Sequence, residues 1–320
     1  MKELSLVIPV YNEAQIIHRA IDEIVAVLDG IADLVDFEII VVDDGSKDDT
    51  WQILSDTVCT AHDQVRAIRL SRNFGKEAAL CAGLELSEAK ATVIMDADLQ
   101  HPPQVIPAML ARWRTGDFDV VEGVKSDRGE ESMLARLFAG SFYTLFDWLS
   151  GIDLRNASDF KLLDRRVVEA WRRMPEKNVF FRGMSAWVGF RREEITFDVA
   201  PRLGSETKWS TLGLFRLALT SIVSYSSAPL HLVTLFGVTF ILFSIIVGID
   251  TLVTYFSGEA ISGFATVIML LLITGGFIMV SLGIIGQYLA RIYNEVKARP
   301  RYLTADDTHN LPARDKSPDQ

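Results

Sequence analysis

Cysteine is scarce in this chain, since its 320 residues include only Cys59 and Cys81. Two cysteines so far apart exclude a disulfide framework and the paired spacing of a structural zinc site. Basic residues are also in the minority, because 32 lysines and arginines stand against 42 aspartates and glutamates, a net charge of −10. This balance argues against nucleic acid as a partner.

The N-terminal sequence, MKELSLVIPVYNE, has no apolar segment long enough for a secretory signal peptide. We therefore expect a catalytic part that faces the reducing cytosol, which fits the low cysteine count. The length of 320 residues predicts about two domains.

Apolar runs alternate with helical periodicity over the first part of the chain. Buried strands are predicted over residues 4–10, 37–42, 65–70 and 91–95, and helices over 16–28, 49–58 and 76–87. This alternation is typical of a largely parallel sheet covered on both faces, with its ligand beyond the carboxyl ends of the strands. Further short strands are predicted over residues 117–123, 159–163 and 191–199.

Polar residues follow all four of the first strands. The first three strands end in YNE, DDGS and SRNFG, and the fourth ends in Asp96 and Asp98. Two aspartates one residue apart leave a strand on the same side, so both can face one cation. Carboxylates suit Mg²⁺ or Mn²⁺, which bind together with substrate phosphates. An Asp-rich turn is the alternative, but polar residues at every strand end favour a nucleotide diphosphate site.

Two long apolar segments, residues 230–256 and 264–288, are each long enough to cross a membrane. The first contains a single charge, Asp250 near its far end, and the second contains none. The connecting loop has Glu259 and no lysine or arginine, whereas basic residues flank both segments, so both termini are expected in the cytosol. Glycines at 275, 276, 283 and 286 predict close packing within the hairpin or between subunits of a homo-oligomer.

These patterns divide the chain into four parts. A catalytic domain over residues 1–209 precedes an amphipathic helix over 210–228, which is expected in the membrane interface or else against a protein core. Two transmembrane helices follow over 229–290, and a cytosolic polar tail over 291–320 is expected to be disordered from residue 304 onward. Another apolar helix is predicted over residues 134–149.

Four motifs carry a resemblance to a known family: VIPVYNE at 7–13, VVDDGSKDDT at 41–50, SRNFGKEAAL at 71–80 and MDADLQHPP at 95–103. In this order and spacing they resemble the family 2 glycosyltransferases over roughly residues 4–210. With SDFKLLDR at 158–165, RLGSETKWS at 202–210 and the hairpin, the chain is similar to bactoprenol glucosyltransferases, with dolichyl-phosphate mannose synthases as relatives. The resemblance implies an α/β, Rossmann-like catalytic domain of the GT-A type with a C-terminal two-helix transmembrane hairpin.

The resemblance also implies residues for the nucleotide sugar, namely Pro9, Tyr11, Glu13, Asp44, Asn73, Lys76, Asp96 and Gln100. Asp96 and Asp98 would hold Mg²⁺ or Mn²⁺ on the diphosphate, where the cation acts as a Lewis acid. Turn and helix-start chemistry is the alternative for Asn73 and Lys76. We interpret His101 as a turn residue before two prolines.

The acceptor that the resemblance implies is a polyprenyl phosphate in a bacterial inner membrane. Asp159 and Asp98 are the expected catalytic carboxylates, with Asp159 either a base or a group that orients a cation. Arg128 is expected at the reacting phosphates, and Arg202, Ser205 and Lys208 at the acceptor phosphate. The alternative for these basic residues is solvated charge near anionic lipid.

The expected reaction is inverting transfer of glucose from UDP-glucose to the lipid phosphate. The same reaction with GDP-mannose, UDP-N-acetylglucosamine or a modified arabinose donor is the first alternative. A nucleotidyltransferase lacks support because no Gly-rich basic phosphate loop is present, and a noncatalytic scaffold would not need the aspartates. Lys125 departs from the arginine of many relatives.

Overall fold

The computed structural model describes residues 1–31, 36–125, 158–174, 181, 187–198, 228–258 and 263–309. The strands in this part of the chain are β1 (Leu4–Val10), β2 (Phe37–Asp43), β3 (Val65–Leu70), β4 (Ala91–Ile94), β5 (Val120–Lys125), β6 (Lys161–Asp164), β7 (Arg192–Phe197) and β8 (Thr304–Asp307). The α-helices are α1 (Ile17–Asp29), α2 (Thr50–Ile53), α3 (Cys59–Ala61), α4 (Lys76–Leu86), α5 (Ile106–Arg114), α6 (Arg165–Arg172), α7 (Ala228–Phe256) and α8 (Phe264–Val296).

All these strands form one mixed sheet in the order β7-β5-β6-β4-β1-β2-β3-β8. Its centre, β4-β1-β2-β3, is parallel as predicted. Beyond this centre β5 and β7 also pair in parallel, but β6 lies antiparallel between β4 and β5, and β8 lies antiparallel on β3, so the sheet is mixed at its margins. The carboxyl ends of β1 to β4 therefore share one edge, which the amino end of β6 also reaches.

Two apolar layers cover the central strands. β1 is buried along its whole length, because its side chains pack on both faces of the sheet. One face packs against the apolar sides of α1 and α5, and the other packs against α4 and α6. This double cover fixes where the strand ends emerge.

The first three predicted strands agree with the structure to within one residue, and the fourth strand is one residue shorter than predicted. The predicted helix over 49–58 is only partly α-helical, because a π-helical turn over Leu54–Val58 follows α2. Neither α5 nor α6 was expected from the apolar periodicity.

The expectation of disorder after residue 304 is wrong for Thr304–Asp307, which form β8. Arg66 on β3 donates from Nε to Asp307 Oδ1 at 3.1 Å and from a terminal nitrogen to Oδ2 at 2.5 Å. The Ala67 N–H donates to Thr308 Oγ1 at 3.0 Å. These polar contacts bind a short, hydrophilic strand to the open edge of β3.

Two compact units divide the chain: one holds the sheet together with residues 300–309, and the other holds α7 and α8. Within α7 and α8, Val233–Phe256 and Val267–Val296 are long and apolar enough to cross a membrane. No atom of the described residues lies within 4 Å of a Cβ added at glycine 275, 276, 283 or 286, so the expected packing of these glycines within the hairpin is not seen in the described part of the chain. Phe236 and Phe240 instead contact Phe277 across the hairpin.

Several predictions concern residues outside the described part of the chain. They are the helices over 134–149 and 210–228 and the residues Arg128, Arg202, Ser205 and Lys208.

Candidate active site

The loops after β1 and β2 are joined by hydrogen bonds. The backbone N–H of Asn12 donates to Ser46 Oγ at 2.9 Å, and the N–H of Lys47 donates to Asn12 Oδ1 at 2.9 Å. The N–H of Glu13 donates to Thr50 Oγ1 at 2.9 Å. Asn12 has a φ of 55°, which its side-chain hydrogen bonding makes tolerable. The YNE and DDGS motifs therefore form one surface.

Two buried aspartates lie at the carboxyl end of β2 and accept hydrogen bonds from different parts of the chain. Asp43 accepts the Ser46 N–H at 3.0 Å and lies 3.3 Å from Arg69 Nε. Asp44 accepts the N–H of Phe74 at 2.7 Å with Oδ1 and that of Gly75 at 2.8 Å with Oδ2. Burial raises the pKa of both carboxyl groups, although these hydrogen bonds oppose the effect. Asp44 thus fixes the loop after β3.

The same two loops touch at Gly45, whose φ is 66°. A Cβ at this position would lie 2.5 Å from the Arg72 carbonyl carbon and 2.8 Å from the Asn73 nitrogen. Only glycine combines this backbone conformation with such close approach. The loops that end β2 and β3 are therefore in direct backbone contact beside Asn73.

Lys76, the first residue of α4, reaches two carboxylates. Its Nζ lies 2.7 Å from Asp96 Oδ1 and 2.9 Å from Asp159 Oδ2. Asp96 follows β4 by two residues, and Asp159 precedes β6 by two residues. One ammonium group thus joins the MDADLQ motif to the SDFKLLDR motif.

Asp98 lies on the same loop as Asp96, and its Oδ1 accepts the Gln100 N–H at 3.1 Å. Leu99, between Asp98 and Gln100, has a φ of 57°, so the chain turns sharply after the two aspartates. Asp96 and Asp98 are both partly exposed, which leaves carboxylate oxygens accessible from the edge of the sheet. These residues are the candidate cation ligands.

His101 is a buried aromatic residue rather than only a turn residue. Its ring stacks on Phe160 with centroids 5.1 Å apart and meets the edge of Phe197 at 5.9 Å. Burial lowers its pKa despite the nearby charges of Asp96 and Asp98. The stack packs the aspartate loop against the strand that follows Asp159. This stack could not be predicted from local spacing, because His101 and Phe160 are 59 residues apart.

The structure brings the predicted residues together in two neighbouring groups. Asp44 and Asn73 belong to the interlocked loops, together with Tyr11 and Glu13, while Lys76, Asp96, Asp98 and Asp159 form the acidic cluster. Pro9 is buried within β1 opposite Val42, and Gln100 uses its backbone to hold Asp98. The bridging position of Lys76 is the main feature that the sequence did not reveal.

A mixed α/β sheet with interlocked polar loops and a carboxylate cluster at its carboxyl edge defines a protein of the GT-A type. Comparison with known proteins agrees. Residues 5–171 match the family described as glycosyl transferase family 2. The chain belongs to this family.

Relatives align over almost the whole chain. An uncharacterized glycosyltransferase of Synechocystis is 39% identical, with 95% of each chain covered. The prophage bactoprenol glucosyl transferase homolog of Escherichia coli is 34% identical, over 94% of this chain and 98% of the relative. Glucosyl-3-phosphoglycerate synthase of Mycobacterium tuberculosis, solved with phosphoglyceric acid, has a TM-score of 0.45 at 21% identity, covering 70% of this chain and 80% of that one.

Proposed function

We propose that the protein transfers glucose from UDP-glucose to the phosphate of a polyprenyl phosphate, with inversion at the anomeric carbon. The observation that carries this proposal is the cluster of Lys76, Asp96 and Asp159 beside Asp98 at the carboxyl edge of the sheet. Relatives named bactoprenol glucosyl transferase, 34–35% identical over 94% of the chain, support glucose and a lipid acceptor. Two helices long enough to cross a membrane also suit a lipid substrate.

Asp96 and Asp98 fit a divalent metal such as Mg²⁺ or Mn²⁺. Both offer hard carboxylate oxygens, and the described residues include no cluster of three or more histidine, cysteine or acidic ligands. A two-carboxylate site suits an ion that completes its coordination with phosphate oxygens and water. When bound, the ion would supply Lewis acidity that offsets charge on the departing UDP.

The interlocked loops are the proposed nucleoside site. Tyr11 is 38% exposed at the end of β1, and Asn73 is exposed on the loop that Asp44 holds. We assign the uridine to this surface, with Pro9 at its base and Glu13 facing the ribose. Gln100 and Lys76 then lie toward the diphosphate and the metal.

The acceptor phosphate does not need a strong base. The second pKa of a phosphate monoester is near ~6, so its oxygen is mostly ionised at neutral pH. The Lys76 ammonium contacts Asp159, and we assign this carboxylate to orientation of the acceptor rather than to proton abstraction. A single displacement by the phosphate oxygen breaks the bond from the anomeric carbon to UDP and inverts that carbon.

The remaining assignments extend the proposal to the membrane. Arg128, Arg202, Ser205 and Lys208 would hold the acceptor or donor phosphates. The catalytic unit and both termini would face the cytosol of a bacterial inner membrane, because basic residues flank the two spans. A homo-oligomer would place the exposed glycines of α8 between subunits.

The test is transfer of labelled sugar from UDP-glucose, UDP-N-acetylglucosamine and GDP-mannose to an added polyprenyl phosphate, with Mg²⁺, Mn²⁺ or EDTA. We expect a lipid product from UDP-glucose that needs the metal. Asp96→Asn and Asp159→Asn should each lower the rate at least about a hundredfold, since each removes a charge at the reacting groups. Asp22→Asn on the exposed side of α1 is the control and should leave the rate unchanged.

Three outcomes would contradict parts of the proposal. Product from GDP-mannose would overturn the donor assignment and leave the acceptor in place. Full activity in EDTA would overturn the metal site at Asp96 and Asp98. No lipid product from any donor would overturn the acceptor assignment.

A further inference from the structure

The ammonium of Lys76 lies where two parts of the proposed chemistry meet. Its Nζ is 2.7 Å from one Asp96 oxygen, 2.9 Å from the other, and 2.9 Å from Asp159 Oδ2. The Lys76 side chain is 42% exposed, the Asp96 side chain 28% and the Asp159 side chain 9%. The ammonium therefore reaches from an accessible position toward a buried carboxylate.

A cation at the two aspartates must share Asp96 with this ammonium. Both oxygens of Asp96 face Nζ, while one oxygen of Asp98 is occupied by the Gln100 N–H. Two positive groups on one carboxylate repel each other unless an anion lies between them. A nucleotide diphosphate is such an anion, because its oxygens can accept from Lys76 and also approach a divalent metal.

We infer that Lys76 is a positioning residue that occupies Asp96 until a nucleotide diphosphate arrives, and so makes divalent-metal binding depend on the nucleotide. This inference rests on the proposed function, in which Asp96 and Asp98 hold the metal. When the nucleotide binds, Lys76 exchanges Asp96 for phosphate oxygens. Asp159 stays within reach of the same ammonium.

The charge state of Lys76 agrees with this role. Burial disfavours the ammonium form, but the charges of Asp96 and Asp159 and the hydrogen bonds to them outweigh burial and raise the pKa of Lys76. A lysine side chain is protonated at neutral pH, so Lys76 places a positive charge on Asp96.

The experiment is titration of the full-length protein in detergent with Mn²⁺, followed by electron paramagnetic resonance, with and without UDP. Lys76→Met removes the charge and keeps a side chain of similar length. Lys76→Arg keeps the charge, and Lys90→Met removes one positive charge at the opposite end of β4. Thermal unfolding of each variant confirms that it is folded.

We expect the wild type to bind Mn²⁺ weakly alone and at least about tenfold more tightly with UDP. Lys76→Met should bind free Mn²⁺ about tenfold more tightly than the wild type, because the competing ammonium is gone. The gain in Mn²⁺ affinity caused by UDP should fall by a similar factor. Lys76→Arg and Lys90→Met should both follow the wild type.

Unchanged affinity of Lys76→Met for free Mn²⁺ would overturn the inference, as would absence of Mn²⁺ binding in every variant. The proposed function fails by a different observation, namely that no sugar reaches the lipid. If Mn²⁺ and UDP behave as expected while no lipid product forms, the acceptor assignment is wrong and the role of Lys76 stands. If Lys76→Met transfers sugar normally and binds free Mn²⁺ with the affinity of the wild type, only the inferred role of Lys76 is wrong.

Discussion

A buried ion pair beside the active site gives the sharpest prediction about stability. Lys161 and Glu122 lie opposite each other on β6 and β5, with Nζ 3.1 Å from Oε1. Lys161 is 0% exposed and Glu122 is 4% exposed. The Lys161 ammonium also lies 5.2 Å from the centre of the Phe181 ring. The pair is thus enclosed by protein, two residues along the chain from Asp159.

Removal of one partner should be costly because the other charge stays buried. Breaking a buried ion pair in this way destabilises a protein by about 3–5 kcal/mol, whereas replacing both partners by apolar residues is often close to neutral. Lys161→Met should therefore destabilise the catalytic unit by roughly 3–5 kcal/mol. For a unit of this size, that corresponds to a drop of about 6–20 °C in the unfolding midpoint. The double variant Lys161→Met/Glu122→Leu should recover a large part of the loss.

The assay is thermal unfolding of the full-length protein in detergent, with both single variants, the double variant and Glu3→Gln. Glu3 pairs with Arg114 at 2.9 Å, but their side chains are 23% and 30% exposed. A partly solvated pair of this kind contributes about 1 kcal/mol or less. A Lys161→Met shift no larger than the Glu3→Gln shift would refute the reasoning. So would a double variant whose loss equals the sum of the two single losses.

Two further predictions concern the loops and the C-terminal strand. Gly45→Ala should destabilise the protein by roughly 1–3 kcal/mol and Gly116→Ala by about 1 kcal/mol, because both have positive φ but only the Cβ at 45 would meet the Arg72 backbone. Equal shifts in unfolding midpoint would contradict this. Asp307→Asn should cost roughly 1–2 kcal/mol at neutral pH, because it weakens the two contacts with Arg66. Burial alone would raise the pKa of Asp307, but the hydrogen bonds and charge of Arg66 lower it. The stabilisation is therefore complete above the unfolded pKa of about 3.9 and is lost as the pH falls through the lower folded pKa. Urea unfolding should show a constant difference between Asp307→Asn and the wild type from about pH 7 to pH 5 and a smaller one below about pH 4; a difference that persists there would contradict it.

The central strands could be predicted because burial on both faces leaves a direct mark on the sequence. β1 and β2 are nearly continuous apolar runs, and their ends coincide with polar motifs. β4 is also fully buried, so its short run was visible too. Local composition was sufficient wherever a strand lies between two layers of helices.

The strands predicted over 117–123, 159–163 and 191–199 overlap β5, β6 and β7. The strand β8 and the order of the strands at the margins could not be predicted in this way. β8 has the sequence TADD, which carries no apolar pattern, and it forms because Arg66 and Ala67 on the open edge of β3 supply partners for it. The position of β6 between β4 and β5 is equally invisible, since strand order depends on pairing across long stretches of sequence. Both features come from tertiary contacts rather than local propensity.

For the candidate site, too, individual residues could be singled out from the sequence, whereas the contacts between them could not. Asp96 and Asp98 were predicted as a pair because two residues of strand spacing bring them to one side. The contact of Asp96 with Lys76 and the His101–Phe160 stack depend on how α4 and β6 pack, which no spacing rule gives. Sequence reasoning therefore singled out the two aspartates as candidate ligands but did not predict the Lys76 ammonium that contacts Asp96.

Hydrogen bonds and ion pairs connect the motifs of the candidate site in series. Asn12 and Ser46 join the first loop to the second, and Asp44 joins the second to the backbone at Gly75. Gly75 directly precedes Lys76, whose ammonium then reaches Asp96 and Asp159. A change at Asp44 must therefore alter the start of α4 and the position of the ammonium, although Asp44 itself contacts neither carboxylate of that cluster in the described contacts. The proposed nucleoside surface and the acidic cluster are thus connected through Asp44, Gly75 and Lys76, which is the arrangement required if nucleotide binding is to release Asp96.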